Sequence, residues 1–249
     1  MNNRSITQIS NPETFQKAFA VSRETVERLE TYAALLKRWQ KTINLVAPST
    51  LDHIWHRHFA DSAQLFRTSP PPLWGGPGGG ESQFSPSRIP PTPNSSPQGG
   101  GGVIHFVDLG SGAGFPGLVL AIMTAEKGGT RHTLVESDTR KAAFLREVAR
   151  ETGVAVEIVA DRIESPRTAA SVGEVNCVTA RALAPMPRLL SWAAPYFGGD
   201  TVGLFLKGRE VAAELEDAAV KWAFQSELLP SVTDPEGRIV RISGLGLRR

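Results

Sequence analysis

The chain has 249 residues, a formal net charge of +2 and a single cysteine. Length allows one or two domains, and one thiol excludes both an internal disulfide framework and a multi-thiolate metal site. The weak charge excludes a strongly basic nucleic-acid binder, so any RNA partner must be held by local patches. No apolar run approaches the roughly 18 residues of a membrane span. The N-terminus, MNNRSITQISNPE, has no apolar core of signal-peptide length. A cytoplasmic protein with no membrane partner is expected.

Residues 1–66 read as a small N-terminal helical extension. Asn11 followed by Pro12 suits the start of a short first helix. Leu29, Tyr32, Ala33, Leu36, Trp39 and Ile43 recur at spacings of three and four and form one apolar stripe. Pro48 interrupts it. Ser49 with Asp52 resembles a capping box, opening a helix with Leu51, Ile54, Trp55, Phe59, Ala63 and Phe66 on one side. Residues 67–102 hold 9 Pro, 9 Gly and 6 Ser. With few apolar side chains to offset the ordering entropy, this stretch reads as a disordered linker or insertion.

Residues 103–249 alternate strand and helix. Strands are expected at 103–109, 131–137, 154–160, 175–182 and 201–207. Helices are expected at 115–126, 139–152, 186–197 and 209–224. The runs 226–232 and 238–244 flank the turn signal TDPEG and suit an antiparallel pair. Repeated strand–helix units imply a doubly wound, mostly parallel α/β sheet of Rossmann-like type, with an antiparallel last strand.

The first strand hands over to its helix through DLGSGAGFPG, Asp108 to Gly117. Ligands of open parallel sheets collect at strand carboxyl ends. Gly110, Gly112 and Gly114 let a ligand approach bare backbone there. Gly112-x-Gly114-x-x-Gly117 satisfies a dinucleotide fingerprint. Gly110-x-Gly112-x-Gly114 satisfies the looser S-adenosylmethionine pattern equally well, so spacing leaves the ligand open. Glu136 ends the second strand, where a carboxylate can accept from ribose hydroxyls of either ligand; Asp138 competes for that role. Two functions follow from the spacing: methyl transfer or nicotinamide-dependent oxidation. The second lacks a hydride-transfer pair, since the only tyrosines are Tyr32 and Tyr196.

The set VDLGSGAGFPG, LVES, TRKAAFLREV, ADRIE and VTARALAPMPRLL, with LLKRWQKTINLV (35–46) and WHRHFADS (55–62) upstream, resembles the bacterial small-subunit (16S) ribosomal RNA methyltransferase G family, also called glucose-inhibited division protein B. The resemblance covers about 12–66 and 103–245; the 67–102 insert departs from it. It implies a class I methyltransferase fold and S-adenosyl-L-methionine as cofactor. It also implies methyl transfer to N7 of a guanine near the decoding region of 16S rRNA, presented in the small ribosomal subunit or its precursor; no obligate protein partner is inferred. It adds a third function to weigh, RNA binding or assembly without catalysis. Carried over by position, Gly110, Phe115, Ile163, Glu164 and Arg181 would bind the cofactor, and the residue reading adds Gly112, Gly114 and Glu136. Arg181 and Lys207 would orient the substrate, and no acid or base is assigned.

The residues agree in part. Asp161, Glu164, Arg181 and Lys207 fall at or just beyond expected strand ends, at the ligand edge. Arg181 interrupts the apolar VTARALA, and a buried guanidinium needs a partner; pairing with a neighbouring acid is the alternative reading. For Lys207 the alternative is a solvated lysine. His53, His56 and His58 lack the companions of a metal site; His56, Arg57 and His58 read as a cleft or RNA-facing edge, or as packing. Lys37, Arg38 and Lys41 form a small basic patch suited to phosphates or to water. Cys177 reads as a small buried hydrophobe.

Overall fold

A computed structural model describes residues 8–69 and 102–248. The first helix, α1 (Pro12–Phe19), starts where Asn11 caps it: the Asn11 side chain accepts from Thr14 N, and Thr14 returns the bond to the Asn11 backbone. The second, α2 (Arg23–Trp39), carries the expected stripe inward, and Leu29, Tyr32 and Leu36 are fully buried. It ends at Trp39, so Ile43 lies beyond it.

The helix expected after Pro48 does not form as one α-helix. The chain runs instead through a 3-10 turn (Pro48–His53), a wide π-helical turn (Trp55–Ala60), a short α3 (Asp61–Ala63) and a 3-10 turn (Gln64–Thr68). The Ser49 capping box is absent; Ala47 precedes the turn with no side-chain cap. The wide turn leaves the Arg57 carbonyl to a partner outside the helix, the Arg181 guanidinium. Of the expected linker, Arg67 and Thr68 belong to the last turn, and Arg67 donates to the Ala18 carbonyl. Residues 70–101 of that stretch lie outside the described residues.

The remainder is β1 (Ile104–Leu109), α4 (Gly117–Thr124), β2 (Thr130–Val135), α5 (Thr139–Thr152), β3 (Glu157–Val159), α6 (Pro166–Val172), β4 (Cys177–Arg181), α7 (Met186–Ala193), β5 (Val202–Lys207), α8 (Val211–Ala219), β6 (Trp222–Pro230) and β7 (Arg238–Leu247). They build a seven-stranded sheet of order β3-β2-β1-β4-β5-β7-β6. The first five strands are parallel, and β7 enters antiparallel between β5 and β6. Every residue of β1 is buried, as its apolar run requires.

Three expectations are corrected. The α8 helix stops at Ala219, because Trp222 is drawn into the core as the first residue of β6. The β3 strand is short, and its exposed Glu157 begins it late. The α6 helix occupies the connection before β4, for which no helix was expected, with Pro166 in its first turn.

The N-terminal helices pack on one face of the sheet. Phe15, Leu29, Tyr32, Leu36 and Phe59 share one apolar cluster with Leu118 and Ile122 of α4 and Phe144 and Val148 of α5. Among the described residues, no helix is long and apolar enough to cross a membrane.

Candidate active site

At the carboxyl end of β1 the backbone turns through left-handed conformations: φ is +65° at Gly110, +56° at Gly112 and +94° at Gly114. At Gly110 the left-handed turn favours glycine, and a Cβ there would also press on the tip of the Leu183 side chain, which would have to shift. Beneath the loop, the Tyr32 hydroxyl donates to the Ala113 carbonyl, and its ring stacks on Phe115 at 5.4 Å. A helix from the N-terminal extension therefore supports the glycine loop. Burial raises the Tyr32 phenol well above its usual range, so it stays a donor.

Asp108 holds the other side. Its carboxylate accepts from Gly117 N at 3.2 Å and from Thr179 Oγ1 at 2.8 Å. Burial pushes its carboxyl up to about 6, against the pull of those hydrogen bonds and of Arg181. Asp108 thus ties the start of α4 to β4. Neither role was legible: Asp108 reads only as the start of the glycine-rich turn, and Tyr32 only as part of an apolar stripe.

Glu136 is buried just beyond β2. One carboxylate oxygen accepts from Gly112 N at 2.7 Å, the other from Asp138 N at 2.8 Å. Each oxygen keeps a further lone pair for a ligand. Asp138 is spent elsewhere: it caps α5 by accepting from the backbone N–H of Arg140 and Lys141.

These groups open on a cleft of about 490 Å³. Gly110, Gly112, Phe115, Glu136, Ile163, Glu164 and Arg181 all line it. Gly114 does not; it turns toward Tyr32 and Leu118. Leu45, Ser111, Lys141, Arg162, Leu183 and Trp192 line it unforeseen. No local pattern marks Leu45, which comes from the N-terminal extension. Asp161 instead stabilises its own loop, accepting from Arg162 N and Thr168 Oγ1.

A second cleft of about 710 Å³ shares Leu45, Arg181 and Ala182 with the first. Ala182, at the end of β4, has φ of +50°, a conformation that costs a non-glycine residue energy and clusters at functional sites. Arg181 is paired, as the alternative reading held, yet lines both clefts. It donates to Asp61 Oδ2 at 3.3 Å, to the Arg57 carbonyl at 3.0 Å and to His58 Nδ1 at 2.9 Å. Lys207 lines the second cleft but is not solvated; its Nζ meets Glu214 and the Ala184 carbonyl.

The histidines separate. His53 is exposed. His56 accepts from Ile9 N and bonds the Thr233 carbonyl. His58 is buried and held neutral, its pKa lowered to about 3 by burial and then by Arg181 and Arg57. Lys37, Arg38 and Lys41 are exposed, and Arg38 reaches Glu147. Cys177 is buried inside β4, and burial pushes its thiol up.

A glycine-turned cleft at the carboxyl ends of a doubly wound sheet, with an acid after β2 and an antiparallel strand inserted beside β5, defines a Rossmann-like methyltransferase. The cleft fits S-adenosylmethionine: spare acceptors on buried Glu136 suit ribose hydroxyls, bare backbone suits the amino-acid end, and Leu45, Ile163, Leu183 and Trp192 offer apolar surface to adenine. A family model described as rRNA small subunit methyltransferase G matches residues 25–71 and 98–239. A protein of Parvibaculum lavamentivorans named ribosomal RNA small subunit methyltransferase G is 44% identical over 96% of this chain and 91% of its own length. One of the same name from Rhodospirillum centenum is 45% identical over 94% and 91%. A crystal structure of a mutant of MtNAS shares the fold at TM-score 0.50 and 15% identity, covering 93% of this chain and 75% of that one. The chain belongs to the rRNA small subunit methyltransferase G family and is an S-adenosylmethionine-dependent enzyme.

Proposed function

We propose that the chain transfers a methyl group to N7 of a guanine near the decoding region of 16S rRNA, in the cytoplasm, on the small ribosomal subunit or its precursor. The observation that carries this reading is the pair of clefts meeting at Arg181: one suits a nucleoside-bearing donor, and the other, with Arg57, Lys207, Arg209 and Arg238 on its walls, leaves room for an acceptor. Gly110, Gly112, Phe115, Glu136, Ile163 and Glu164 hold the donor, with Gly114 shaping the loop from below. Arg181 and Lys207 stand on the acceptor side.

S-adenosylmethionine supplies a methyl carbon made electrophilic by its sulfonium. Guanine N7 carries a free lone pair at neutral pH, so no side chain need remove a proton. What the chain contributes is alignment, with reacting atoms about 3–3.5 Å apart and in line. The absence of an assigned acid or base is consistent with that chemistry.

Radiolabelled transfer to small subunits from a strain lacking the modification, followed by mapping of the label, tests the reading. One labelled guanine, methylated at N7, is expected. Label on another base or atom, or none, overturns it.

A further inference from the structure

We infer that Asp61 and His58 are positioning residues for transfer: they fix the Arg181 guanidinium and offset its charge, so that it meets the acceptor purine as a directional donor. This rests on the function proposed above.

An arginine has five N–H donors and no acceptor. Arg181 Nη1 gives two bonds, to Asp61 Oδ2 and the Arg57 carbonyl, and Nη2 gives one to His58 Nδ1. The group lies over the Phe115 ring, 4.9 Å from its centroid, and His58 stacks on the same ring at 4.9 Å. Among the described residues, Nε and one N–H of Nη2 make no hydrogen bond to protein. Those donors belong to a residue that walls both clefts.

The partners are themselves fixed. Because arginine only donates, His58 Nδ1 must be the unprotonated nitrogen, and its Nε2–H faces Thr50 Oγ1 at 2.7 Å. Asp61 Oδ1 accepts from Thr233 Oγ1 at 2.7 Å and from Gln64 Nε2 at 2.9 Å. The π-helical turn therefore holds the guanidinium directly, and the loop before β7 reaches it through Asp61 on α3.

Charge decides what the free donors suit. Arg181 and Asp61 side chains are only 18% and 19% exposed, so the carboxylate offsets the guanidinium at close range. A charge-offset arginine has less pull on a phosphate, yet its N–H groups keep their direction. The purine carbonyl beside the attacking nitrogen is the matching acceptor. The offset also matters because the purine becomes cationic as the methyl arrives, and an uncompensated guanidinium would oppose that.

The test uses the full-length protein and small subunits lacking the modification. Asp61→Asn should lower kcat by between about tenfold and a hundredfold, the scale of a misaligned catalytic group. KM for the subunits and the Kd for S-adenosylhomocysteine should stay within about twofold. His58→Asn, which can present a carbonyl near the Nδ1 position, should retain more kcat than His58→Ala; this pair carries the test should Asp61→Asn not fold. Wild-type kcat in Asp61→Asn, or a loss confined to KM or Kd, or equal loss in both His58 variants, overturns the inference. Wild-type protein that methylates no rRNA overturns the function proposed above and this inference with it.

Discussion

Tyr32 shows how much a single side chain of the N-terminal extension contributes to the donor cleft. Its hydroxyl meets the Ala113 carbonyl inside the glycine loop, and its ring packs on Phe115 and Phe59. Tyr32→Phe keeps the ring but leaves a buried carbonyl without its partner, at a cost of about 1–3 kcal/mol. The variant should melt at lower temperature and bind S-adenosylhomocysteine more weakly, because the loop that lines the cleft is the part released. Calorimetry and thermal melts check both; undiminished affinity would show that the bond does not shape the cleft. The tyrosine was legible as buried, from its place in a 3.6-residue period. Its hydroxyl partner was not, because Ala113 lies 81 positions away and periodicity carries no long-range polar pairing.

Among the elements, the π-helical turn and β2 each carry a histidine that the fold holds neutral. Burial, with Arg181 and Arg57, lowers His58 to about 3; burial, with His105, lowers His132 to about 3. Unfolding returns both to about 6.5. Their contribution is therefore complete above about pH 6.5 and is lost as pH falls from there toward 3. Asp108 acts with the opposite sign: its carboxyl, raised to about 6 by burial, favours the fold progressively as pH drops from about 6 toward 4. Two depressed histidines outweigh one raised acid. Stability should fall by on the order of 3 kcal/mol between about pH 7.5 and pH 5, read as a lower thermal midpoint; an unchanged midpoint would refute this. The parallel strands and the glycine turn could be read from the sequence, since burial on both faces and left-handed backbone leave local marks. The π-helical turn could not, because its shape follows from the Arg57 carbonyl serving Arg181, a residue 124 positions on. The end of α8 was missed for a similar reason: helix propensity continues past Ala219, but Trp222 gains more by entering the core.

For the molecule as a whole, a formal net charge of +2 gives a weak overall field. Affinity for naked RNA should then be modest and salt-sensitive. Turnover on a ribosomal particle, where shape is presented along with charge, should exceed that on a short isolated hairpin of the same sequence. Equal turnover on both, measured at one ionic strength, would contradict this. The shared apolar cluster has a practical corollary for anyone seeking a minimal catalytic fragment. A chain begun just before β1 would retain all seven strands, yet Tyr32, Leu36 and Phe59 would be gone from beneath α4 and α5. Such a truncation would bare an oily face and leave the glycine loop without its floor, so the smallest working unit includes the helices that precede the sheet.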